Sequence, residues 1–405
     1  HRARRRPADA MSRDRRAGRL LVACLGVLVA ACGSSATSPS PSATAGPSET
    51  PTAAPTTAAP ALNPPPNPCA LGPQAPPAGT ISANDATALA FAPDGRLFWT
   101  ERSGTVKVWQ NGAAKTFASV ATVTVERGGG YSERGLLGIA LAPTFAQDHL
   151  VYAFYSNTDY THQTVIRWTD CAGTGTNPTT LITLPSGADC CHKGGRLAFS
   201  PDGHLFVTLG EEHTAAAAQN TSDVRGKLLR YTATGGVPAD NPFGAGNPVW
   251  AYGLRNPFGL AISSSGQIAI TNNGPSGDAG SPSTGYDTVI LSVTRGAGYQ
   301  WAVCYGYSHP IAAGSGCPAG ELGPDWSSEA TTVVPTGAAF IDASGPAGYA
   351  GHLVTCTFNA GMRILTPGSP HATVGSGPSQ CRLDVSQGPN HALYYSDATA
   401  IHRLG

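Results

Sequence analysis

The stretch ALAFAPDGRLFWT at residues 88–100 decides the fold. Apolar residues alternate on both sides of Pro93-Asp94-Gly95, which reads as strand, tight turn, strand. Proline presets the turn's φ and glycine accepts a positive one. The unit returns as GRLAFSPDGHLFVTLG at residues 195–210, and more loosely as GLAISSSGQIAIT at residues 259–271. Degraded copies occupy residues 135–155, 337–355 and 382–396. The copies recur roughly every 50 to 60 residues, the period of a propeller blade with inserted loops. No long segment carries helical periodicity. One small twisted sheet cannot bury both of its faces, whereas six around an axis bury one another. The expectation is an all-β fold, a six-bladed β-propeller. A β-sandwich has no need of the same Pro-Asp-Gly hairpin at blade spacing, and a β-helix would repeat at a much shorter period.

Outside the repeats, composition narrows the partners. The 405 residues carry 25 Lys+Arg against 25 Asp+Glu, and only 12% are charged. Such a chain does not attract a polyanion over its whole surface, which argues against a nucleic-acid partner. The 50 glycines are spread through the repeats, as short strands and tight turns require.

The N-terminal region reads as targeting and spacer. Residues 1–10 precede Met11 and are set aside as an upstream extension. Arg13, Arg15, Arg16 and Arg19 form a basic start, and Leu20 to Ala31 is an apolar run too short to span a bilayer. It ends in Val29-Ala30-Ala31-Cys32, which resembles a bacterial lipobox. That resemblance implies cleavage before Cys32 and a lipid on its sulfur. Residues 33–68 are almost wholly Ser, Thr, Ala, Pro and Gly, a composition that cannot repay its ordering entropy by burial. The expected organisation is an extension and signal over 1–32, a disordered linker over 33–68, and one propeller over 69–405. The expected location is the extracellular face of the cytoplasmic membrane, held there through Cys32.

Eight cysteines lie beyond Cys32, an even number suited to disulfides in an exported chain. Cys304 with Cys317 would close a loop, and Cys356 with Cys381 would tie neighbouring repeats. The other four leave three pairings open. Cys69 and Cys171 take Cys190 and Cys191 in either order, or Cys190 bonds Cys191 and Cys69 bonds Cys171. A metal site at Cys190-Cys191-His192 is disfavoured, because adjacent residues rarely both face one ion.

Three segments look chemical rather than architectural. They are CHKGGRL at residues 191–197, WAYGLRNPFGL at 250–260, and NNGP at 272–275 followed by GYD at 285–287. All fall where strands begin or end, at one mouth of a propeller channel. With ERGLLG at 133–138, GYQW at 298–301 and PTG at 335–337, they resemble, in order, the motifs of the glucose/sorbosone dehydrogenase family. The resemblance runs from about Ala86 to Gly405. It implies a six-bladed propeller that oxidises an aldose or related sugar with pyrroloquinoline quinone and Ca²⁺. It implies that His192 is the general base, oriented by Glu211, a task suited to a group with a pKa near working pH. Arg255 and Asn256 would contact the quinone and its developing charge, and Glu133 would contact cofactor or substrate. Gly274 and Pro275 would offer backbone carbonyls to the Ca²⁺, with Asp287 in the same loop region.

The sequence departs from the glucose-oxidising members in its cation set. Residues 355–361, TCTFNAG, hold no lysine where those members supply one. Residues 381–384, CRLD, hold one arginine in shifted register where they supply two. Thr288 follows Asp287 in place of a glutamate, and Cys191 precedes His192 in place of an aspartate. A tricarboxylate quinone needs compensating cations when it leaves water. A propeller that binds a carbohydrate, a cell-wall glycan or a protein without redox chemistry is therefore the alternative.

Overall fold

A computed structural model describes Cys69 and residues 71–187 and 189–405. The signal, the Cys32 lipid site and the 33–68 linker lie outside the described residues. The described chain is an all-β, six-bladed propeller built from six four-stranded antiparallel sheets. Each repeat copy supplies the inner two strands of one blade. Blade 1 begins with Ala86–Phe91 and Leu97–Glu101, blade 2 with Leu136–Leu141 and Leu150–Ser156, and blade 3 with Leu197–Phe199 and His204–Leu209. Blade 4 begins with Asn256–Ile262 and Ile268–Asn273, blade 5 with Pro335–Phe340 and Leu353–Thr357, and blade 6 with Val385–Gln387 and Leu393–Ser396.

The quoted hairpin forms as its chemistry requires. The Ala92 N–H meets the Arg96 carbonyl at 2.8 Å and the Gly95 N–H meets the Ala92 carbonyl at 3.0 Å. Gly95 sits at φ 98°, in the left-handed region that glycine alone enters at no steric cost. Alternation then sends successive side chains to opposite blade faces. In blade 3, Leu205 and Val207 pack toward blade 2 with Phe154 and Leu137, while Phe206 packs toward blade 4 with Leu260 and Ile270. Six such apolar clusters lie between neighbouring blades, one per junction. This is why both faces of each strand are apolar.

The ring closes in blade 6. Its last C-terminal strand, Ala400–Leu404, pairs with the N-terminal Ile81–Ser82, with Ile81 opposite Ile401. Four disulfides form among the described residues: Cys69–Cys171, Cys190–Cys191, Cys304–Cys317 and Cys356–Cys381. Of the three pairings left open by the sequence, the structure takes the one with adjacent cysteines joined. Cys69–Cys171 spans 102 residues and fastens the start of the domain to blade 2. A loop of that length is worth about 4–5 kcal/mol in chain-entropy terms.

Candidate active site at the channel mouth

Every candidate residue except Asp287, which precedes the third strand of blade 4 at Thr288–Ile290, lies near the start or end of the inner strands, so the fold gathers them at one end of the channel. His192 precedes the inner strand of blade 3 and is buried, at 3% exposure. Its Nδ1 and the Glu211 carboxylate share a short hydrogen bond. Glu211 follows the second strand of the same blade and is wholly buried. The Glu211 N–H donates to the Arg255 carbonyl at 2.8 Å, which joins blade 3 to blade 4. No hydrogen bond among the described residues engages His192 Nε2. Burial and the Arg255 charge push the His192 imidazole down to about 3. Burial pushes the Glu211 carboxyl up to about 7. Both shifts have desolvation as their first cause, and both favour uncharged forms. Once Glu211 ionises, it accepts from Nδ1–H and leaves Nε2 as a bare lone pair.

Glu133, just before blade 2, crosses to this loop. Its Oε2 accepts from the His192 N–H at 2.7 Å and from Asn256 Nδ2 at 3.1 Å. Glu133 therefore anchors two other candidate residues as well as lining the mouth. Arg255 and Asn256 are held by one side chain, since Asn272 Oδ1 accepts both of their N–H groups at 3.0 Å. The Arg255 guanidinium forms a fork on Asp278, with contacts of 2.8 and 3.0 Å, and lies 5.4 Å from the centre of the Trp301 ring. Burial would raise the Asp278 carboxyl, but the Arg255 bonds and charge outweigh it and hold it down at about 2.

Sequence reasoning passes over Asp278. The signal available was an acidic residue three positions after Pro275, yet nothing in the sequence pairs it with Arg255. Ligand-type atoms of His192, Glu211 and Asp278 all lie within 4.8 Å of one another. That spacing suits an ion, but Arg255 already supplies the cation beside Asp278.

The residues assigned to calcium are placed differently. The Gly274 carbonyl accepts from Arg255 Nη1. Asp287 accepts three backbone N–H groups, from Gly274 at 2.8 Å, Val333 at 2.8 Å and Val334 at 2.9 Å. It thereby fastens the Gly274-Pro275 turn to the start of blade 5. Hard Ca²⁺ requires several oxygens free of such partners. Gly274 and Asp287 thus spend oxygens within the protein, and no step below is routed through the ion.

Against Glu133 and Asn273 opens a cavity of about 460 Å³. Its walls include Arg102, Tyr131, Glu133, Asn273, Phe358 and Arg382. Arg102 comes from the end of blade 1's second strand and Arg382 from just before blade 6. Arg102 is a second residue that sequence reasoning missed. Arg382 spends Nη1 on the Phe358 carbonyl at 2.6 Å. Tyr131 and Phe358 are among the few large exposed apolar side chains, at 74% and 52%. Asn273 Oδ1, on the cavity wall, lacks a partner, as do Glu211 Oε2 and Asn256 Oδ1 of the residues bonded to His192 and Glu133. Buried polar atoms normally have partners, and a polar ligand or water would supply them here. Arg102 spends Nε on the Arg134 carbonyl at 3.0 Å and Nη2 on the Thr124 and Ser132 carbonyls, which leaves its Nη1 for a ligand. The volume suits a ligand of modest size, and the positive charge of the two arginines an anionic one.

Comparison with known proteins places the fold among sugar dehydrogenases. The family described as Glucose / Sorbosone dehydrogenase matches residues 83–395. The chain is 35% identical over 204 residues to the aldose sugar dehydrogenase YliI of Escherichia coli (strain K12), over 47% of this chain and 54% of that protein. It is 29% identical over 260 residues to quinoprotein glucose dehydrogenase B of Acinetobacter calcoaceticus, over 55% of this chain and 51% of that protein. The solved structure of the soluble aldose sugar dehydrogenase from Escherichia coli, in its apo-form, matches with a TM-score of 0.65 at 26% identity, covering 80% of this chain and 99% of that one. The chain spans about half the length of the curated relatives it matches.

Proposed function

The chain belongs to the glucose/sorbosone dehydrogenase family, and from that premise we propose that it oxidises an aldose or related sugar at the anomeric carbon with pyrroloquinoline quinone as cofactor. The observation that carries the proposal is the His192–Glu211 pair, buried, neutral at the imidazole, left with a free Nε2, and joined through Glu133 to the wall of a cavity lined by two arginines. When bound, the quinone supplies the acceptor for the two electrons that leave the sugar as hydride.

The chain's own residues do the rest. His192 Nε2 takes the hydroxyl proton from the anomeric carbon as that carbon becomes a carbonyl. Glu211 holds the imidazole in the tautomer that makes this possible and stabilises the imidazolium that results. Arg255 sits where it can offset developing negative charge, and Asp278 and Trp301 fix its guanidinium. Arg102 and Arg382 would hold the cofactor's carboxylates in place of the absent lysine, with Tyr131 and Phe358 against its faces. Glu133 and Asn256 keep the two loops in register.

Four disulfides support synthesis through an oxidising compartment, and we extend the proposal to export and lipid attachment at Cys32. The second reading, a non-redox carbohydrate- or protein-binding propeller, is favoured by the lysine-free stretch at residues 355–361.

Titration of the purified protein with pyrroloquinoline quinone, followed by absorbance, separates the two. Saturation at micromolar quinone, with dye reduction by aldoses that His192→Ala lowers by about 100-fold or more, is the expected result. Absence of quinone binding at that level favours the second reading. Binding with undiminished activity in His192→Ala removes the assigned base alone.

A further inference from the structure

We propose that the Cys190–Cys191 disulfide is the positioning element of the His192 base, and that a dithiol reductant switches this base off by opening it. The inference rests on the reading of His192 given above.

The bond's place in the chain argues against a role in overall stability. Disulfide stabilisation through the unfolded state grows with the length of the loop closed. The four bonds here span 102, 25, 13 and 1 residues, and Cys190–Cys191 is the shortest. It restrains almost no chain. What it does restrain is the Cys190–Cys191 peptide unit, which ends one residue before His192, closed into the smallest ring that a disulfide can form.

That ring is part of a clamp. The Cys190 carbonyl accepts the Glu133 N–H at 2.9 Å and the Ser132 hydroxyl at 3.1 Å. Glu133 Oε2 returns to the His192 N–H at 2.7 Å, one residue beyond the ring. The loops leading into blades 2 and 3 are thus joined on both sides of the disulfide. His192 itself lies at φ 58°, in the left-handed region that L-residues with a side chain rarely adopt. A residue in that region needs its surroundings to hold it there. Here the held conformation presents Nδ1 to Glu211.

Both cysteines are half-buried rather than sealed, so a small reductant reaches them. A dithiol delivers two electrons and two protons, closes to its own cyclic disulfide, and leaves Cys190 and Cys191 as thiols. The peptide between them regains its rotations, and His192 relaxes away from the geometry that the clamp imposes. Reoxidation restores the ring.

The test pairs Cys190→Ser/Cys191→Ser with wild type, both as the full exported chain loaded with quinone. In the variant, kcat is expected to fall about 100-fold, the order of loss for an ångström-scale misplacement of a reacting group. KM should move by less than about threefold, because ground-state sugar contacts remain. Dithiothreitol should lower wild-type kcat by a similar factor, reversibly, and should not change the variant, whose other three disulfides serve as the control. Nitrogen-15 spectra of labelled histidine add a readout independent of turnover. Wild-type His192 should give one tautomer, and the variant an averaged signal. A variant with kcat within twofold of wild type, or with an unchanged His192 signal, overturns the inference. If wild type oxidises no sugar, the reading of the site fails instead, and the His192 signal decides the inference by itself.

Discussion

At the scale of single residues, the site turns on one proton shared between two buried groups. The Nδ1–Glu211 hydrogen bond exists whether the proton belongs to the imidazole or to the carboxyl, but only the first arrangement leaves Nε2 basic. Burial raises Glu211 to about 7 and lowers His192 to about 3, so the group that titrates near neutrality is the carboxyl. The sign follows. Base competence is absent below the Glu211 pKa and is gained as pH rises through about 7. A pH series of kcat/KM on wild type should therefore rise to a plateau above about 7. On stability the two shifts oppose each other: the raised Glu211 carboxyl loses stability as pH rises toward 7, whereas the lowered His192 imidazole gains it as pH rises from about 3. In Glu211→Gln the inflection should vanish and the plateau should drop by roughly 100-fold. An inflection kept in that variant would assign the titration to another group. His192 and Glu211 were legible in the sequence because each sits beside a repeat strand in a family motif. Asp278 and Arg102 were not. Each meets its partners through a turn or a blade contact that no local pattern encodes.

At the scale of elements, the inner hairpin of blade 3 carries the base on one strand's approach and its orienting carboxylate on the other's exit. The two approaches touch at Gly210, where a Cβ would lie 1.9 Å from the His192 carbonyl oxygen. Gly210→Ala must push the backbone of His192 aside, because backbone and not a flexible side chain stands in the way. Overpacking of this kind costs about 1–3 kcal/mol. Displacement of the base should cost about 100-fold in kcat. Gly203, at the tip of the same hairpin, provides the contrast. It lies at φ 85° with nothing within 4 Å of its missing Cβ. Gly203→Ala should cost about 1–2 kcal/mol of stability through backbone strain alone and leave kcat unchanged. Urea unfolding with steady-state assays on both variants separates the two effects, and equal kcat losses would refute the contact at Gly210. This hairpin was the most legible element of the chain, since the Pro-Asp-Gly turn and flanking alternation are local. The outer strands were less so. Trp326–Ser327, the outermost strand of blade 4, follows a long insertion after Thr288–Ile290 and is only two residues long, too short for any period to register.

At the scale of the molecule, six blades need something to hold them at a common axis, and Arg196 does this from blade 3. Its Nε donates to the Phe258 carbonyl of blade 4 at 3.2 Å, and its Nη2 to the Leu383 carbonyl leading into blade 6 at 2.9 Å. Nη1 reaches the Thr87 carbonyl of blade 1 and, at 3.3 Å, the Leu137 carbonyl of blade 2. The countercharge is Asp384, 3.6 Å away, which also accepts the Leu89 N–H of blade 1 at 2.7 Å. Blade 5 joins through Gly337, where any Cβ would strike Asp384. The same guanidinium lines the cavity that also includes Asp342 and Gln387. The sequence displayed Arg196 inside a repeat copy but gave no sign that it points down the axis, because its partners are backbone carbonyls whose positions exist only once the ring has closed. Burial pushes the Asp384 carboxyl up, and the Arg196 charge opposes that push. Arg196→Met removes the opposition and leaves a buried carboxylate alone, a change that costs about 3–5 kcal/mol. The deficit should be smaller at acid pH, where the carboxyl is protonated, and should grow as pH rises. Arg196→Met/Asp384→Asn keeps an oxygen for Leu89 without the charge, and should recover at least about 1 kcal/mol and lose the pH dependence. Urea unfolding of the three proteins at pH 5 and pH 8 measures both quantities. If the double variant is no more stable than the single one, or the deficit is flat with pH, the axis is held by packing between blades rather than by this charge pair.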